Sequence, residues 1–306
     1  MLDRFEDLRT FVTLAQAGGF AAAANRLGIV KSAVSRRIRE LEERLDVRLV
    51  HRTTRQISLT DAGRAYYERA AEILAALESL DDAARSDAHE PRGKLRITAP
   101  ISVTIHCLAA AIVRFQAMHP AIQVEVDTSD RFVDIVQEGF DLAVRIAKLK
   151  DSTLIARRIG TVRHAACASP AYLDERGRPK APAELVGHDG IGYSYRIDET
   201  YWTFADDTVA KPNSRLRLSS ADAIREAAIA GAGIANLPTF VIADAVARGE
   251  LEVVLAGHAS EPVAMHAVFP ATQHVPTRVR AFIDFLAKEF GDNPTWDRMV
   301  EAASHK

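Results

Sequence analysis

Apolar residues recur at helical spacing through the first third of the chain. Phe5, Leu8, Val12 and Ala15, with Phe11 beside them, fit one face of a helix that Gly18 and Gly19 stop. Phe20, Ala23, Ala24 and Leu27 predict a second, short helix ended by Gly28. A third helix is predicted from Lys31 to about Leu45. Its apolar positions Val34, Ile38, Leu41 and Leu45 form a narrow stripe; Ser32, Arg36 and Arg39 lie opposite, with Ser35 alongside. Two short β-prone pieces, 47–50 and 57–59, enclose the basic run His51-Arg52-Thr53-Thr54-Arg55 and predict a hairpin. Thr60 or Ser58 then caps a long helix. Within it Tyr66, Ala70, Ile73, Leu77, Leu80 and Ala84 are spaced 4, 3, 4, 3, 4, a heptad seam. Such a seam packs either on its own domain or on a partner; the polar flanks Glu68, Arg69, Glu72, Glu78 and Asp81 favour a partner helix and therefore a dimer.

Residues 86–93 are polar, with Pro91 and Gly93, and read as a linker. Beyond them strands and helices alternate. The first set is strand 95–99, helix 102–118 ended by Pro120, strand 122–126, helix 132–137 and strand 142–146. The second is strand 216–218, helix 221–230, strand 233–237, helix 240–248 and strand 251–255. This alternation predicts an α/β body with mostly parallel sheet and helices on both faces. No period of 20–50 residues repeats.

The chain has 306 residues, room for two or three domains, and a net charge of −2. The distribution of charge says more than the sum. Residues 1–64 hold 12 Lys and Arg against 8 Asp and Glu, net +4; the remainder holds 27 against 33, net −6. A basic head on an acidic body suits a protein that holds DNA at one end. Cys107 and Cys167 stand far apart, so neither a disulfide framework nor a metal-ligand spacing can be built from them. The first residues carry acids and no long apolar core, and no run of eighteen apolar residues occurs; the expectation is a cytoplasmic protein with no membrane span.

Reading DNA requires a short rigid helix with an apolar back and a polar or cationic front. The third helix has both. Arg36 and Arg39 can read guanine, while Lys31, Ser32 and Ser35 reach phosphates or bases. Arg37 lies nearer the apolar stripe and makes either a phosphate contact or an internal ion pair. Arg52 and Arg55, with Thr53 and Thr54, sit at the hairpin tip, where they reach backbone or minor groove. A solvated bundle face is the bland alternative. The segment AQAGGFAAAANRLGIVKSAVSRRIRELEERLDVRLVHRTTRQISLTDAG resembles the winged helix-turn-helix of LysR-type transcriptional regulators, almost without gaps. The resemblance implies binding to double-stranded DNA, with 31–45 as recognition helix and 52–55 on the wing. Three positions depart from the family: Gly19, Ala21 and Val30 stand where hydroxyl residues are usual. Each lost cap costs about 1 kcal/mol.

The pieces GKLRITAP, DRFVDIVQEGFDLAVRI, ASPAYL, AAIAGAGIANLP and RVRAFIDFLAKEF resemble the family's effector domain, two lobes similar to periplasmic binding proteins. The implied organisation is a DNA-binding domain over 1–60, a dimerising helix over 61–88 and an effector domain over 94–306. Its lobe I spans 94–161 and 267–306, and its lobe II spans 162–266. Ligands bind beyond the carboxyl ends of strands in such sheets. Ser102 and Thr104, with free backbone N–H groups at 100–104, suit a carboxylate there. Arg145 supplies a cation for the same anion, unless it is the structural partner of Asp141 or Glu138. Asp127, Thr128 and Ser129 follow the second strand, and Tyr193, Tyr195, Ser219, Ser220 and Asp222 form the facing wall, each hydroxyl having an ordinary helix cap as its alternative. The family analogy suggests a small organic acid as effector, a homodimer or homotetramer, and RNA polymerase as a further partner.

No metal, cofactor or catalytic constellation is apparent: the ten histidines show no ligand spacing, and GAGIAN opens a strand instead of following one. A transport solute-binding protein would need an export signal and no basic head; an enzyme would need converging acid, base or nucleophile. A third alternative keeps the DNA head and makes the body an oligomerisation module.

Overall fold

The computed structural model describes residues 4–52, 57–84, 90–131, 133–136, 138–146, 154–194, 202–204, 208–258, 260–271, 275–292 and 294–304. Three helices open the chain: α1 (Arg4–Ala17), α2 (Phe20–Leu27) and α3 (Lys31–Leu45). Gly28 ends α2 in the left-handed region, where a residue without Cβ is unstrained, and Asp46 does the same for α3 at φ 52°. Strands β1 (Val50–Arg52) and β2 (Ile57–Leu59) pair antiparallel as the predicted hairpin, with Val50 opposite Leu59. The long helix α4 (Asp61–Ala84) follows, and the Thr60 hydroxyl caps it by accepting from the Gly63 N–H at 2.9 Å. Phe11, Leu14, Val34, Ile38, Leu41 and Leu49 form the buried centre of this head.

The seam on α4 divides between two roles. Tyr67 and Ala70 are buried in the head core and Tyr66 packs edge-on against Phe11, whereas Ile73 is 53% exposed. The first turns of α4 thus anchor it to its own head, and side-chain positions 80 and 84 lie outside the described residues.

The body holds two five-stranded sheets. In chain order its elements are β3 (Gly93–Ala99), α5 (Ile101–Met118), β4 (Ile122–Thr128), β5 (Leu142–Ile146) and β6 (Leu154–Val162). Then come β7 (His164–Ala168), α6 (Pro170–Arg176), β8 (Asp189–Tyr193), β9 (Trp202–Thr203), β10 (Val209–Ala210) and β11 (Asn213–Leu218). The chain closes with α7 (Ala221–Ile229), β12 (Ile234–Pro238), α8 (Thr239–Ala247), β13 (Glu252–Val254), β14 (Val263–Pro270), α9 (Thr277–Phe290) and α10 (Thr295–Ser304). The first sheet has order β4-β3-β5-β14-β6 and the second β11-β8-β12-β7-β13. Three neighbouring strands of each are parallel; β14 runs antiparallel to β5 and β6, and β7 antiparallel to β12 and β13. The expectation of mostly parallel sheet is therefore corrected to mixed sheet. The chain passes between sheets at β6–β7 and again at β13–β14; of these passing strands β7 and β14 run against the βα strands of their sheets, while β6 and β13 run with them.

Two further expectations change. Helix 132–137 is a single hydrogen-bonded turn among the described residues: Glu138 N–H donates to Asp134 O, Phe140 N–H to Ile135 O, and Gly139 closes it at φ 69°. Arg96 binds the carbonyls of Glu138 and Gly139 at the end of the turn, at 3.1 and 2.8 Å. Helix α5 is long and apolar enough, by length and composition, to cross a membrane. Its buried residues Val103, Leu108, Ala111 and Phe115 instead pack in the core, with Phe115 against Phe282. Within α5, Thr104–Leu108 forms a π-turn, which rotates the following face relative to the preceding one.

Gly63 tests how the wing is fastened to α4. A Cβ there would collide with the backbone carbonyl of Leu49, which no rotamer relieves. Gly63→Ala is expected to lower stability by about 1–3 kcal/mol, the usual range for overpacking. Urea denaturation followed by circular dichroism measures it; an unchanged midpoint would show that β1 has no fixed position against α4.

Candidate DNA interface and ligand cleft

The recognition helix is held from behind by charge. Arg37 Nη1 donates to Glu6 Oε2 at 2.9 Å and to the Thr10 hydroxyl at 3.2 Å, both on α1. Arg44 Nη1 reaches the buried Asp7 at 2.6 Å. Glu42 Oε1 accepts the N–H groups of Leu49 and Val50 at 2.8 and 3.1 Å, so one carboxylate seats the root of the wing. Arg37 therefore takes the internal ion-pair alternative in this structure. On the opposite face Lys31, Ser32, Arg36 and Arg39 are exposed and Ser35 is half-buried. Arg36 and Arg39 make only loose i,i+4 pairs, to Glu40 at 3.8 Å and Glu43 at 4.0 Å, and keep 62% and 61% of their side-chain surface in solvent. Their guanidinium groups are available. Gly19 and Val30, the N-caps of α2 and α3, make no side-chain cap bond, and Ser32 does not supply one. Arg52 lies on β1, with its side chain outside the described residues, as are Thr53, Thr54 and Arg55.

The second site is a cavity of about 500 Å³ between the two sheets, a size ordinary for small-molecule sites. It lies beyond the carboxyl ends of β3, β4 and β5 on one side and β8 and β12 on the other. Ser102, Ser129, Asp130, Arg131 and Arg145 line the first side; Tyr193, Trp202, Asn236 and Phe240 line the second, with His164 at the crossing. Ser102 and Arg145 thus meet in one wall. Thr104 does not: its hydroxyl donates back to Pro100 O at 3.0 Å within the helix. Thr128 is exposed outside the lining and Ser129 takes its place; Ser219 is exposed, and Ser220 caps α7. Tyr195 lies outside the described residues. Two of the expected N–H groups at 100–104 are used: Ile101 N–H donates to Asp130 Oδ1 at 3.1 Å and Thr104 N–H to Pro100 O at 3.0 Å. Ser102 donates to Asp222 Oδ2 at 2.7 Å, across to the other sheet.

Asp222 is the centre of a cross-sheet cluster. His106 Nε2 lies 2.7 Å from Oδ1 and, since a carboxylate only accepts, carries its proton toward it. Arg225 stands 3.7 Å from the same oxygen. Burial alone would raise the Asp222 pKa; the hydrogen bonds from Ser102 and His106, together with the charges of His106 and Arg225, outweigh it and hold the carboxyl below its ordinary value. Sequence reasoning missed His106, because the π-turn that aims it leaves no mark in the apolar pattern. Asp130, Arg131, Trp202 and Asn236 were missed as walls for a different reason, since strand ends far apart in sequence bring them together.

Burial lowers the Arg145 pKa, and burial raises that of Asp130 despite the Ile101 bond. Arg145 bonds neutral oxygens, Val144 O at 3.0 Å and the Thr98 hydroxyl at 3.4 Å, and no carboxylate of the described residues comes within ion-pair distance. The alternative pairing with Asp141 does not occur; Asp141 binds Arg278 at 3.2 Å. Among the described residues no cluster of His, Cys, Asp and Glu could hold a metal ion. Burial pushes the thiols of Cys107 and Cys167 up to about 12, so neither presents a thiolate at neutral pH.

A reading helix with a wing, joined to a two-sheet body around a ligand-sized cleft, defines a ligand-responsive DNA-binding protein. Comparison with known proteins gives the family. Residues 5–64 match the model described as bacterial regulatory helix-turn-helix protein, lysR family, and residues 88–291 match the LysR substrate binding domain. The chain belongs to the LysR family of transcriptional regulators. It is 33% identical over 291 residues to the HTH-type transcriptional regulator CrgA of Neisseria meningitidis, spanning 94% of this chain and 97% of that one. The solved CrgA structure aligns with a TM-score of 0.62 at 32% identity, covering 94% and 98% of the two chains. A full-length OxyR variant from Pseudomonas aeruginosa shares the fold, with a TM-score of 0.74 at 17% identity over 94% and 95%.

Asp222→Ala removes the acceptor that joins the sheets at the front of the cleft. A carboxyl with a depressed folded pKa adds stability above its ordinary pKa of about 3.9 and loses it as pH falls through the lower folded value. The variant is expected to lose about 1–3 kcal/mol at neutral pH, the range for bonds to a charged group. The difference should shrink below about pH 4. Paired urea titrations at pH 7 and at acid pH measure it; an equal loss at both would mean the cluster contributes packing and not charge.

Proposed function

We propose that this chain binds a specific DNA sequence through α3 and the wing, and alters its hold on that DNA when a small carboxylate with an apolar body enters the cleft. The observation that carries the first half is the pair of exposed arginines on α3, Arg36 and Arg39, on a helix whose other two arginines are locked to α1. Lys31, Ser32 and Ser35 add phosphate or base contacts, and Arg52, Thr53, Thr54 and Arg55 extend the footprint along the wing. The second half rests on Arg145, a half-buried cation with neutral partners in a cleft whose far wall is aromatic. A carboxylate is its natural counter-ion, and Trp202, Tyr193 and Phe240 suit an apolar body.

In this reading 1–60 bind DNA, 61–88 dimerise and 94–306 bind effector. The exposed Ile73 starts the half of the α4 seam that meets a second copy. A dimer, or two dimers joined through their bodies, presents two heads to a pseudo-palindromic site. The protein acts by binding and not by catalysis, in the cytoplasm, and affects transcription through the access of RNA polymerase.

Fluorescence anisotropy against the promoter region beside the protein's own gene, with random DNA as control and salt fixed, tests the DNA half. Arg36→Ala and Arg39→Ala are each expected to weaken specific binding by about 1–3 kcal/mol. Equal loss on both DNAs would make that residue a phosphate contact. For the effector half, a panel of small carboxylates is screened by thermal shift. A true ligand at a hundred times its Kd adds about 2.7 kcal/mol of stability. Arg145→Ala is expected to abolish the shift, and a shift of unchanged size would place the ligand elsewhere.

A further inference from the structure

The turn 133–140 touches three things at once. Just before it, Ser129, Asp130 and Arg131 line the cleft. Its own apolar residues Ile135 and Phe140 pack with Ala143 and Val268 into a small core on the first sheet. Its outer side meets the DNA-binding head: Val136 packs against the head's core, and the Tyr67 hydroxyl of α4 donates to Val136 O. Gln16 of α1 donates to that same hydroxyl at 3.3 Å and lies so close over Gly139 that a Cβ there would collide with it.

The turn is also tied back to the cleft by charge. Arg131 binds Glu138 through two bonds, at 2.8 and 3.3 Å. Arg96 grips the carbonyls of Glu138 and Gly139, and its guanidinium lies over the Phe140 ring at 5.1 Å. Cleft, ion pair, turn and head are therefore one continuous chain of contacts. We propose that segment 129–140 couples the cleft to the DNA-binding head, with the Arg131–Glu138 pair as its input and the Val136–Tyr67–Gln16 contact as its output. The input rests on the effector reading above. An anion beside Arg145 also attracts Arg131, which lines the same cavity, and draws it off Glu138. Released Glu138 frees the Gly139 turn, and the head loses its seat on the body. The element has two arrangements, seated and released, and ligand chooses between them by differential contact.

The test uses the full-length protein and no ligand. Hydrogen exchange is measured for wild type, Arg131→Ala and Glu138→Gln, reading the amides of α1 near Gln16 and of α4 near Tyr67. Both variants are expected to speed exchange there about two- to fivefold, the equilibrium equivalent of one exposed ion pair. Arg157→Gln, which breaks the Arg157–Asp284 pair elsewhere on the same sheet, is the control and should leave those amides unchanged. Coupling is reciprocal, so Tyr67→Phe is expected to speed exchange in the turn. Head amides that ignore both cleft-side variants, or that respond equally to the control, would overturn the proposal. Its failure would leave the effector reading standing, and a failure of carboxylates to bind would leave this coupling standing.

Discussion

The carboxylate of Asp297, 1% exposed, fixes where the chain passes from one sheet to the other. It accepts from Arg163 Nη1 and from the Thr239 hydroxyl, both at 2.5 Å. Arg163 is the single residue between β6 and β7, and its carbonyl takes the Thr239 N–H at 2.9 Å. A buried carboxylate is tolerated only when paired and hydrogen-bonded, and here the pairing sets the crossing point. Trp296, beside Asp297, packs edge-on against both Phe240 and Phe290 and so ties α8 to α9. The C-terminal helix α10 thus staples the two sheets at the rear, as the Ser102–His106–Asp222 cluster does at the front. Both fastenings centre on a carboxylate, Asp297 buried at the rear and Asp222 half-buried at the front.

The head solves an opposing problem. A helix that reads base edges must not move, yet its front must stay free of internal bonds. The arginines of α3 split between these two demands. Arg37 and Arg44 turn back to α1, while Arg36 and Arg39 face solvent. The absent caps at Gly19 and Val30 leave the N-termini of α2 and α3 with unsatisfied N–H groups toward solvent. Such groups can donate to DNA phosphate, so missing side-chain caps need not weaken a phosphate-binding end.

Much of this was legible from spacing alone. Of the predicted stripe Val34, Ile38 and Leu41 are buried and only Leu45, at the helix end, is exposed; α3 spans the predicted 31–45, and Thr60 caps α4 as expected. Where the sequence misled, non-local contacts were responsible. Residues 132–137 have apolar spacing that suits a helix, but among the described residues they form one turn whose Ile135 and Phe140 pack on the first sheet. The seam on α4 looked uniform, yet Tyr66 and Ala70 serve the head core while Ile73 is exposed. In the cleft, Arg145 and Ser102 were legible because one ends and the other follows a strand that the alternation predicts. Asp130 and His106 were not, because their roles depend on an internal bond and a π-turn.

Those two residues change what the cleft asks of a ligand. The N-terminus of α5 is an evident anion site, but Asp130 already occupies it through the Ile101 N–H. Ser102, the other donor there, is already given to Asp222. Two of the protein's own carboxylates thus take two of the donors at this helix end, the Ile101 N–H and the Ser102 hydroxyl. Burial raises the pKa of Asp130 against the opposing pull of the Ile101 N–H and the Arg145 charge. Arg145 is left as the one lining cation whose bonded partners among the described residues are all neutral, since Arg131 is paired with Glu138. On the reading proposed above, an entering carboxylate would find one cation open and a second that it could win only by breaking the Arg131–Glu138 pair. Binding and release follow from the same shortage of free positive charge.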